Sequence, residues 1–479
     1  MLIYHKKHSK EKHSLMETII NVLADEFKNK ITNFLKTEKN PTIEVAESAL
    51  LGMALEFTAQ SLSALYEAKD KELREDKKSR KEQGLTIERA GDSREIITMI
   101  GALKYSRTYY KKKSGGYIYP IDEYAGVDSY MRVSGGTCLA LIQAATHQSY
   151  AKSSFEVTDG IISKQTVMNK IREATVPEYK AAKPLKTVPY LHIDADEDHV
   201  KLAGGKGTCT AVPLITVYEG IKRQGKRGIC INSFSISVYN KSPDEIWDKV
   251  LTEIEHRYDI SKTKIYIHGD GAAWIRAARE WFPGSVFVLD QYHKNKYLLQ
   301  ATSGFTAEEC KIYRAKIRKI LKSGDKNELA VVQAEMCESH PEMVKNIMEC
   351  TGYLLRNFDA IYIRNIDEEA NNGGSTEPHV SHILSSRLST RPMAWSRKTL
   401  EHIAPILAAG ACTLEKPSEK EPHIICCTRA NCIPKHAKTA ENSLGLPDPD
   451  HATDIAGSFK GHLSGLYGIL RPLVGFSKS

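Results

Sequence analysis

The tightest constraint on the fold is a change of periodicity at Val188, where strand-like alternation begins and elements follow in a restrictive order. Strands are predicted at residues 188–193, 211–218 and 229–239, and residues 199–203 continue or follow the first of them. Gly204-Gly205 and Gly220 mark turns between them. Ser242-Pro243-Asp244-Glu245 opens a helix that runs to about His256, with Ile246, Val250 and Ile254 facing inward. A strand at 264–267, a helix at 271–281, a strand at 286–289 and a helix at 291–300 complete the series. Consecutive hairpins followed by βαβ units predict a mixed sheet with helices on its faces, hence an α/β domain.

The flanking regions read differently. Leu15, Ile19, Val22, Leu23, Phe27, Ile31 and Leu35 form a helical stripe that Pro41 breaks, and a second helical run covers 43–73. The densely charged stretch 69–83 reads as a solvated helix or linker. Residues 96–119 are rich in tyrosine (Tyr105, Tyr109, Tyr110, Tyr117, Tyr119) interleaved with Lys104, Arg107, Lys111, Lys112 and Lys113, and Gly115-Gly116 suggests a hairpin turn. Such interleaving suits phosphate contact and base stacking, although an ordinary exposed hairpin has the same appearance. Residues 138–174 read as short helices. In the last, Ser163 is the expected N-cap, with Val167 and Ile171 inward and Lys164, Gln165, Asn169, Lys170 and Arg172 outward. That is the layout of a helix-turn-helix reading element, and also of any short amphipathic helix pair.

Residues 306–360 are predicted helical. Ile317, Ile320 and Leu321 form the apolar side, and Lys311, Arg314, Arg318 and Lys322 form a basic stripe that is either a solvated face or a DNA-facing one. Helices are also expected at 377–387 and 396–408, and a poorly patterned tail follows Leu414. The resulting division is a helical region at 1–95, a basic hairpin and helix-turn-helix region at 96–185, and an α/β core at 186–300. An all-helical insertion at 301–370, final core helices at 371–410 and the tail at 411–479 complete it.

At 479 residues, with 41% hydrophobic and 26% charged residues, the chain has the composition of a globular protein, which excludes collagenous and fully disordered classes. A net charge of +8 permits a nucleic-acid partner without demanding one. No segment approaches the roughly 20 apolar residues of a membrane span, the longest candidate being 403–414, and residues 1–10 lack the apolar core of a secretion signal. The expectation is therefore a cytoplasmic or nucleoid-associated protein with reduced cysteines. The sequence contains no Walker loop, H-E-x-x-H or G-x-S-x-G.

Three acidic positions stand out by placement. Asp194, Asp196 and Asp198 share one face of the first strand, and alternation cannot choose between Asp194 and Asp196. Asp270 ends the 264–267 strand at its carboxyl end, where ligands bind in such sheets. Glu377 enters a helix for which Thr376 is the expected N-cap. Taken singly, each has an ordinary explanation: a polar loop, an Asp-Gly turn, or a carboxylate complementing a helix dipole. Together, carboxylates from a strand, a neighbouring strand end and a helix can converge on hard divalent cations.

The segments LHIDADEDHV (191–200), GDGAAWI (269–275), LDQYHKNK (289–296) and EPHVSHILSSR (377–387) with Arg391-Pro392-Met393 resemble a bacterial insertion-sequence family of DDE transposases related to the Mutator group. The resemblance covers roughly residues 103–408. It implies an RNase H-like catalytic domain with a helical insertion in the 107-residue interval between Asp270 and Glu377. It assigns Asp196, Asp270 and Glu377 as the triad holding two Mg²⁺ or Mn²⁺ ions, and prefers Asp196 because it lies four residues before Val200. Asp290-x-x-His293 matches a family element that places His293 and Asp290 near the active site.

The implied activity is cleavage at the element's ends and transfer of the freed 3′-OH into target DNA, by a homodimer or larger assembly bound to terminal inverted repeats. The alternatives are an RNase H-like nuclease without strand transfer and an inactive DNA-binding regulator. The tail's His423, Cys426, Cys427, Cys432 and His436 do not follow a standard zinc-finger spacing, so free thiols are expected there.

Overall fold

The computed structural model describes residues 2–179, 183–205, 207–225, 227–414 and 424–426. These fall into two compact units that divide at residues 170 and 171.

In the first unit, α1 (Leu2–Thr37) and α2 (Ile43–Glu75) are the two N-terminal helices, with Thr42 capping α2. After α3 (Lys77–Glu82) the chain forms β1 (Leu85–Thr98), β2 (Gly101–Lys112) and β3 (Tyr117–Ile118), a three-stranded antiparallel sheet. The change expected at Ile96 therefore falls inside a strand, and the main hairpin turn is at residues 99–100. Gly115-Gly116 joins β2 to the short β3. The charged stretch at 69–83 is not uniformly solvated: Asp70 is buried and accepts the Thr108 backbone N–H (2.9 Å) and hydroxyl (2.6 Å). Helix α2 is thus latched to β2.

The tyrosines of this sheet are largely spent on it. Tyr105 and Tyr110 are buried, and the Tyr105 hydroxyl donates to Asp122 at 2.8 Å. Tyr109 stacks on Tyr117 and Tyr119, and Arg107 lies over the Tyr119 ring at 3.7 Å. Lys111 and Lys113 are exposed and Lys112 is half-buried. Helices α4 (Pro120–Ala125), α5 (Gly135–Ala145), α6 (Tyr150–Thr158) and α7 (Lys164–Glu173) follow, the last passing into the second unit.

The second unit is mixed α/β. Strand β4 (Ala174–Thr175) precedes the long β5 (Tyr190–Lys201), which runs without a break and pairs antiparallel with β6 (Cys209–Tyr218). The third strand expected at 229–239 is instead a separate hairpin, β7 (Ile221–Gln224) and β8 (Arg227–Cys230), followed by the short β9 (Phe234–Ile236), which pairs with β6. Helix α8 (Pro243–Glu255) has the anticipated start, a capping box between Ser242 and Glu245. It leads to β10 (Lys264–Gly269). The helix expected at 271–281 is two short turns, α9 (Ala273–Arg276) and α10 (Ala278–Trp281), before β11 (Val286–Leu289). The sheet order is β11-β10-β5-β6-β9, with β11, β10 and β5 parallel to one another and β6 antiparallel to both its neighbours.

The two faces of this sheet have opposite chemistry. Leu191, Ile193 and Ala195 of β5 and Ile265 and Ile267 of β10 pack with Ile246, Trp247, Val250 and Ile254 of α8 in one apolar core. Alternation sends His192, Asp194, Asp196 and Asp198, and on β10 Tyr266 and His268, to the other face. A second core lies among α11 (Gln291–Gln300), α12 (Ala307–Ser323), α13 (Lys326–Ser339), α14 (Val344–Arg356) and α15 (Phe358–Ile366), with Ile317, Ile320 and Leu321 buried in it as expected. The chain then returns to the polar face through α16 (Thr376–Val380), a π-helical turn at Ser381–Ser385 and α17 (Ser386–Leu388).

Helix α18 (Arg397–Ala409), capped by Ser396, precedes β12 (Ala411–Leu414) and β13 (Ile424–Cys426); β12 pairs with β13 on one side and with β4 on the other. Of the tail residues considered for zinc, His423, Cys427, Cys432 and His436 lie outside the described residues. Among the described residues, no helix is long and apolar enough to cross a membrane.

Candidate active site

The polar face of the sheet carries a graded column of acids, and contacts separate members that alternation makes equivalent. Asp194 is fully buried and accepts the backbone N–H groups of Gly374 (3.2 Å) and Ser375 (2.9 Å) and the Tyr218 hydroxyl (2.9 Å). It also pairs with His379 at 3.3 Å. Burial opposes ionisation of Asp194, yet His379, His268 and Tyr218 hold its pKa below the usual carboxylate value. Burial likewise opposes charge on His379, but Asp194 and Cys230 raise its pKa to about 9. Asp198 accepts the Ser389 hydroxyl at 2.9 Å. Asp194 and Asp198 therefore fasten the two ends of the 374–389 segment, which carries Glu377.

Asp196, between them, holds no such latch. Among the described residues, its one hydrogen bond comes from the Glu197 backbone N–H at 2.9 Å. Burial raises its pKa to about 6, and the charges of Asp270 and Glu377 add to that rise against the lowering effect of the Glu197 N–H and His293. The neighbouring strand explains why Asp270 is near. His268 on β10 is in register with Asp194 on the parallel β5 and Gly269 packs against the Ala195 carbonyl, so Asp270, the residue after the strand, emerges near Asp196. Asp270 Oδ1 accepts the Ala272 N–H at 2.8 Å, which fixes the turn after the strand. Glu377 is exposed. Thr376 is not its N-cap: it lies inside α16, whose N-cap is Ser375 without a side-chain hydrogen bond, because Asp194 already grips that turn through its backbone.

Asp290 follows the next strand, β11, with its own N–H donating to Gly269. It caps α11 by accepting from the N–H groups of Tyr292 (3.0 Å) and His293 (3.3 Å), and it contacts His293 Nδ1 at 3.3 Å. Burial disfavours a charged His293, but Asp290, Asp196 and Asp270 raise its pKa above the ordinary histidine value. His293 is thus held by Asp290 and lies within the field of Asp196 and Asp270. Among the described residues, no three His, Cys, Asp or Glu side chains stand together as a metal-ligating group.

Beneath the acids lies a histidine layer that sequence reasoning missed. His192 bridges His268 (3.1 Å) and Glu369 (3.1 Å), and its ring stacks on Tyr218, Tyr266 and His268. Burial lowers the pKa of both histidines, that of His268 to about 3, so both are neutral at pH 7. Gly373 presses against them: a Cβ there would lie 2.7 Å from His192 Nδ1 and closer still to His268 Nε2. The available signal was a repeated His-x-Asp, His192-x-Asp194 and His268-x-Asp270, on two neighbouring strands.

The basic residues expected at a DNA surface separate. Lys164, Gln165 and Asn169 are exposed on α7, while Lys170 is half-buried. Arg172 turns inward and donates to Thr399 (3.1 Å) and Ser396 (3.0 Å) at the start of α18, so it belongs to packing. On α12, Lys311, Arg318 and Lys322 are exposed. Arg314 bonds the Thr302 hydroxyl at 2.7 Å and the Leu299 carbonyl, so the predicted stripe is interrupted at its second member.

Residues 37–416 match the family described as Uncharacterised protein family (UPF0236). The chain belongs to that family. A UPF0236 protein of Caldanaerobacter subterraneus subsp. tengcongensis is 38% identical over 349 residues, covering 72% of both chains. A second from the same organism, whose name joins eleven locus designations, is 36% identical over 384 residues, covering 79% of each. A third, from Streptococcus gallolyticus and named for its position in the vanSb 3′ region, is 25% identical over 394 residues, covering 79% of this chain and 85% of its own.

Proposed function

We propose that this UPF0236 chain is a DDE-type DNA transposase with an RNase H-like catalytic domain. The observation that carries the reading is that Asp270, just beyond the carboxyl end of β10, and Glu377, on the α16 segment that Asp194 and Asp198 fasten to β5, are distant in sequence yet near enough to Asp196 for both their charges to raise its pKa. The sheet supports it: antiparallel β9, β6 and β5 are extended by parallel β10 and β11, and the helices α12–α15 lie between Asp270 and Glu377. Relatives named for several loci of one genome are what a self-copying element leaves behind.

The donor set is all carboxylate, the type a hard divalent cation takes, and Asp196, raised in pKa by burial and then by Asp270 and Glu377, has no cation paired with it; the three do not stand together as a closed ligand group among the described residues, so a bound ion would have to draw Glu377 in. Asp196, Asp270 and Glu377 would hold Mg²⁺ or Mn²⁺, which when bound activates water and neutralises charge in phosphoryl transfer. The chain's own part is positioning. Asp194 and Asp198 hold the Glu377 segment against the sheet. Asp290 fixes the orientation of His293 and favours its protonated form, so its free N–H is available to a phosphate oxygen beside the acids. The acceptor in strand transfer is a phosphodiester of target DNA, and the nucleophile is the freed 3′-OH of the element.

The test is cleavage of a duplex carrying the DNA ends that flank the gene, by the full-length chain with Mg²⁺ or Mn²⁺. Asp270→Asn is expected to abolish cleavage and leave DNA binding unchanged. Undiminished cleavage by that variant overturns the assignment, and cleavage without joined products identifies a nuclease that does not transfer strands.

A further inference from the structure

Helix α11 serves two sites. His293 is turned to the acids, while Lys294, the next residue, lines a cavity of about 630 Å³ bounded by α11, α12, α15 and the following turn. Arg318, Lys319 and Lys322 of α12 and Arg364 of α15 also line it, and no acidic residue does. None of these five cations has a carboxylate within ion-pair distance among the described residues. Two of the three amides that line the cavity are occupied: Asn365 donates to the Leu321 carbonyl and Asn371 to the Arg364 carbonyl. Arg364 is half-buried; its Nη2 donates to the Leu289 carbonyl at 3.5 Å, but its Nε–H is buried without a hydrogen-bond partner. Burial lowers the pKa of Lys294, and the charges of Arg364, Arg318 and Lys322 lower it further. Gathering five cations around one concavity with an unmet buried donor is costly unless an anion completes it.

We propose that this cavity is a phosphate-binding site that seats the backbone of a nucleic-acid strand beside the acidic centre. The choice of a nucleic-acid strand over a small phosphate-bearing ligand rests on the function proposed above. The guanidinium groups of Arg318 and Arg364 supply planar paired donors for phosphate oxygens, and the three lysines supply point charge. The cavity also gives the α12 basic residues unequal roles. Arg318 and Lys322 line it, while Lys311, equally exposed on the same helix, does not.

The experiment measures binding of a fluorescent duplex oligonucleotide by the full-length chain across 50–200 mM salt, for wild type, Arg318→Gln/Lys322→Gln and Lys311→Gln. Each lost phosphate contact lowers the slope of log affinity against log salt by about 0.9. The double variant should therefore lose about 1.8 in slope, and its affinity should fall about 12-fold less than that of the wild type over this range. Lys311→Gln should match wild type. In a parallel arm, inorganic phosphate should raise the wild-type melting temperature more than that of the double variant.

Loss of oligonucleotide affinity assigns the cavity to a strand backbone. Loss of only the phosphate-induced shift assigns it to a small phosphate-bearing ligand. A double variant identical to wild type in both arms, or Lys311→Gln as defective as the double variant, overturns the site. Because cleavage is read separately, a protein that cuts DNA while the double variant binds normally refutes only the cavity. A protein that needs the cavity for binding but never cuts refutes only the transposase reading.

Discussion

Asp194 and Asp196 are two residues apart on one strand face, and their replacement by asparagine should move stability in different directions. Asp194→Asn removes the buried charge that pairs with half-buried His379 and puts an NH₂ group where the N–H groups of Gly374 and Ser375 need an acceptor. Breaking a buried ion pair on one side costs about 3–5 kcal/mol, and the retained amide oxygen recovers part of the hydrogen bonding, so about 3–4 kcal/mol is expected. For a unit of this size that corresponds to a fall of about 6–16 °C in melting temperature. Asp196→Asn removes a buried carboxylate that is repelled by Asp270 and Glu377 and fastens no other segment, so it should leave the melting temperature unchanged or raise it. The assay is thermal unfolding at pH 7 with EDTA present, followed by circular dichroism. Activity is a poor discriminator, because both variants are expected to lose it. If Asp194→Asn melts with wild type, or Asp196→Asn falls as far as Asp194→Asn, the division of labour between latch and site is wrong.

Two further outcomes follow from the same geometry. Gly373→Ala should destabilise the second unit by about 1–3 kcal/mol in urea unfolding, because the added methyl has to displace His192 or His268 from their stack; wild-type stability would show that the layer yields freely. Glu219 accepts from Lys186 (2.6 Å) and Tyr258 (2.9 Å); burial raises its pKa, but these partners and Asn232 bring it below 4.5 overall. A depressed carboxylate pKa contributes stability that is complete above the unfolded value and is lost as pH falls through the folded one. The melting-temperature gap between wild type and Glu219→Gln should therefore be full above about pH 5 and close below it, and a gap unchanged at pH 3 would count against the pairing.

Much of the second unit was legible in the sequence. The strands 188–193, 211–218, 264–267 and 286–289 and the Ser242-capped helix all occur, because alternation, capping residues and breakers are local signals. The misread elements were those whose local signal is weak. Residues 229–239 are apolar enough for a strand, yet the chain turns within them to form β8 and β9. Residues 271–281 contain a helical pattern that breaks into two turns.

Side-chain assignments divide in the same way. Val167 and Ile171 could be placed inward from spacing, whereas Arg172 and Arg314 read as outward cations and are held by hydroxyls that only the folded chain brings near. The sequence by itself determined the order of elements and the presence of acids on one strand face, since both depend on a period of two or 3.6 along the chain. Only tertiary structure decided which aspartate latches another segment and which does not. That distinction depends on backbone N–H groups arriving from 180 residues away, and no periodicity encodes what packs on a face.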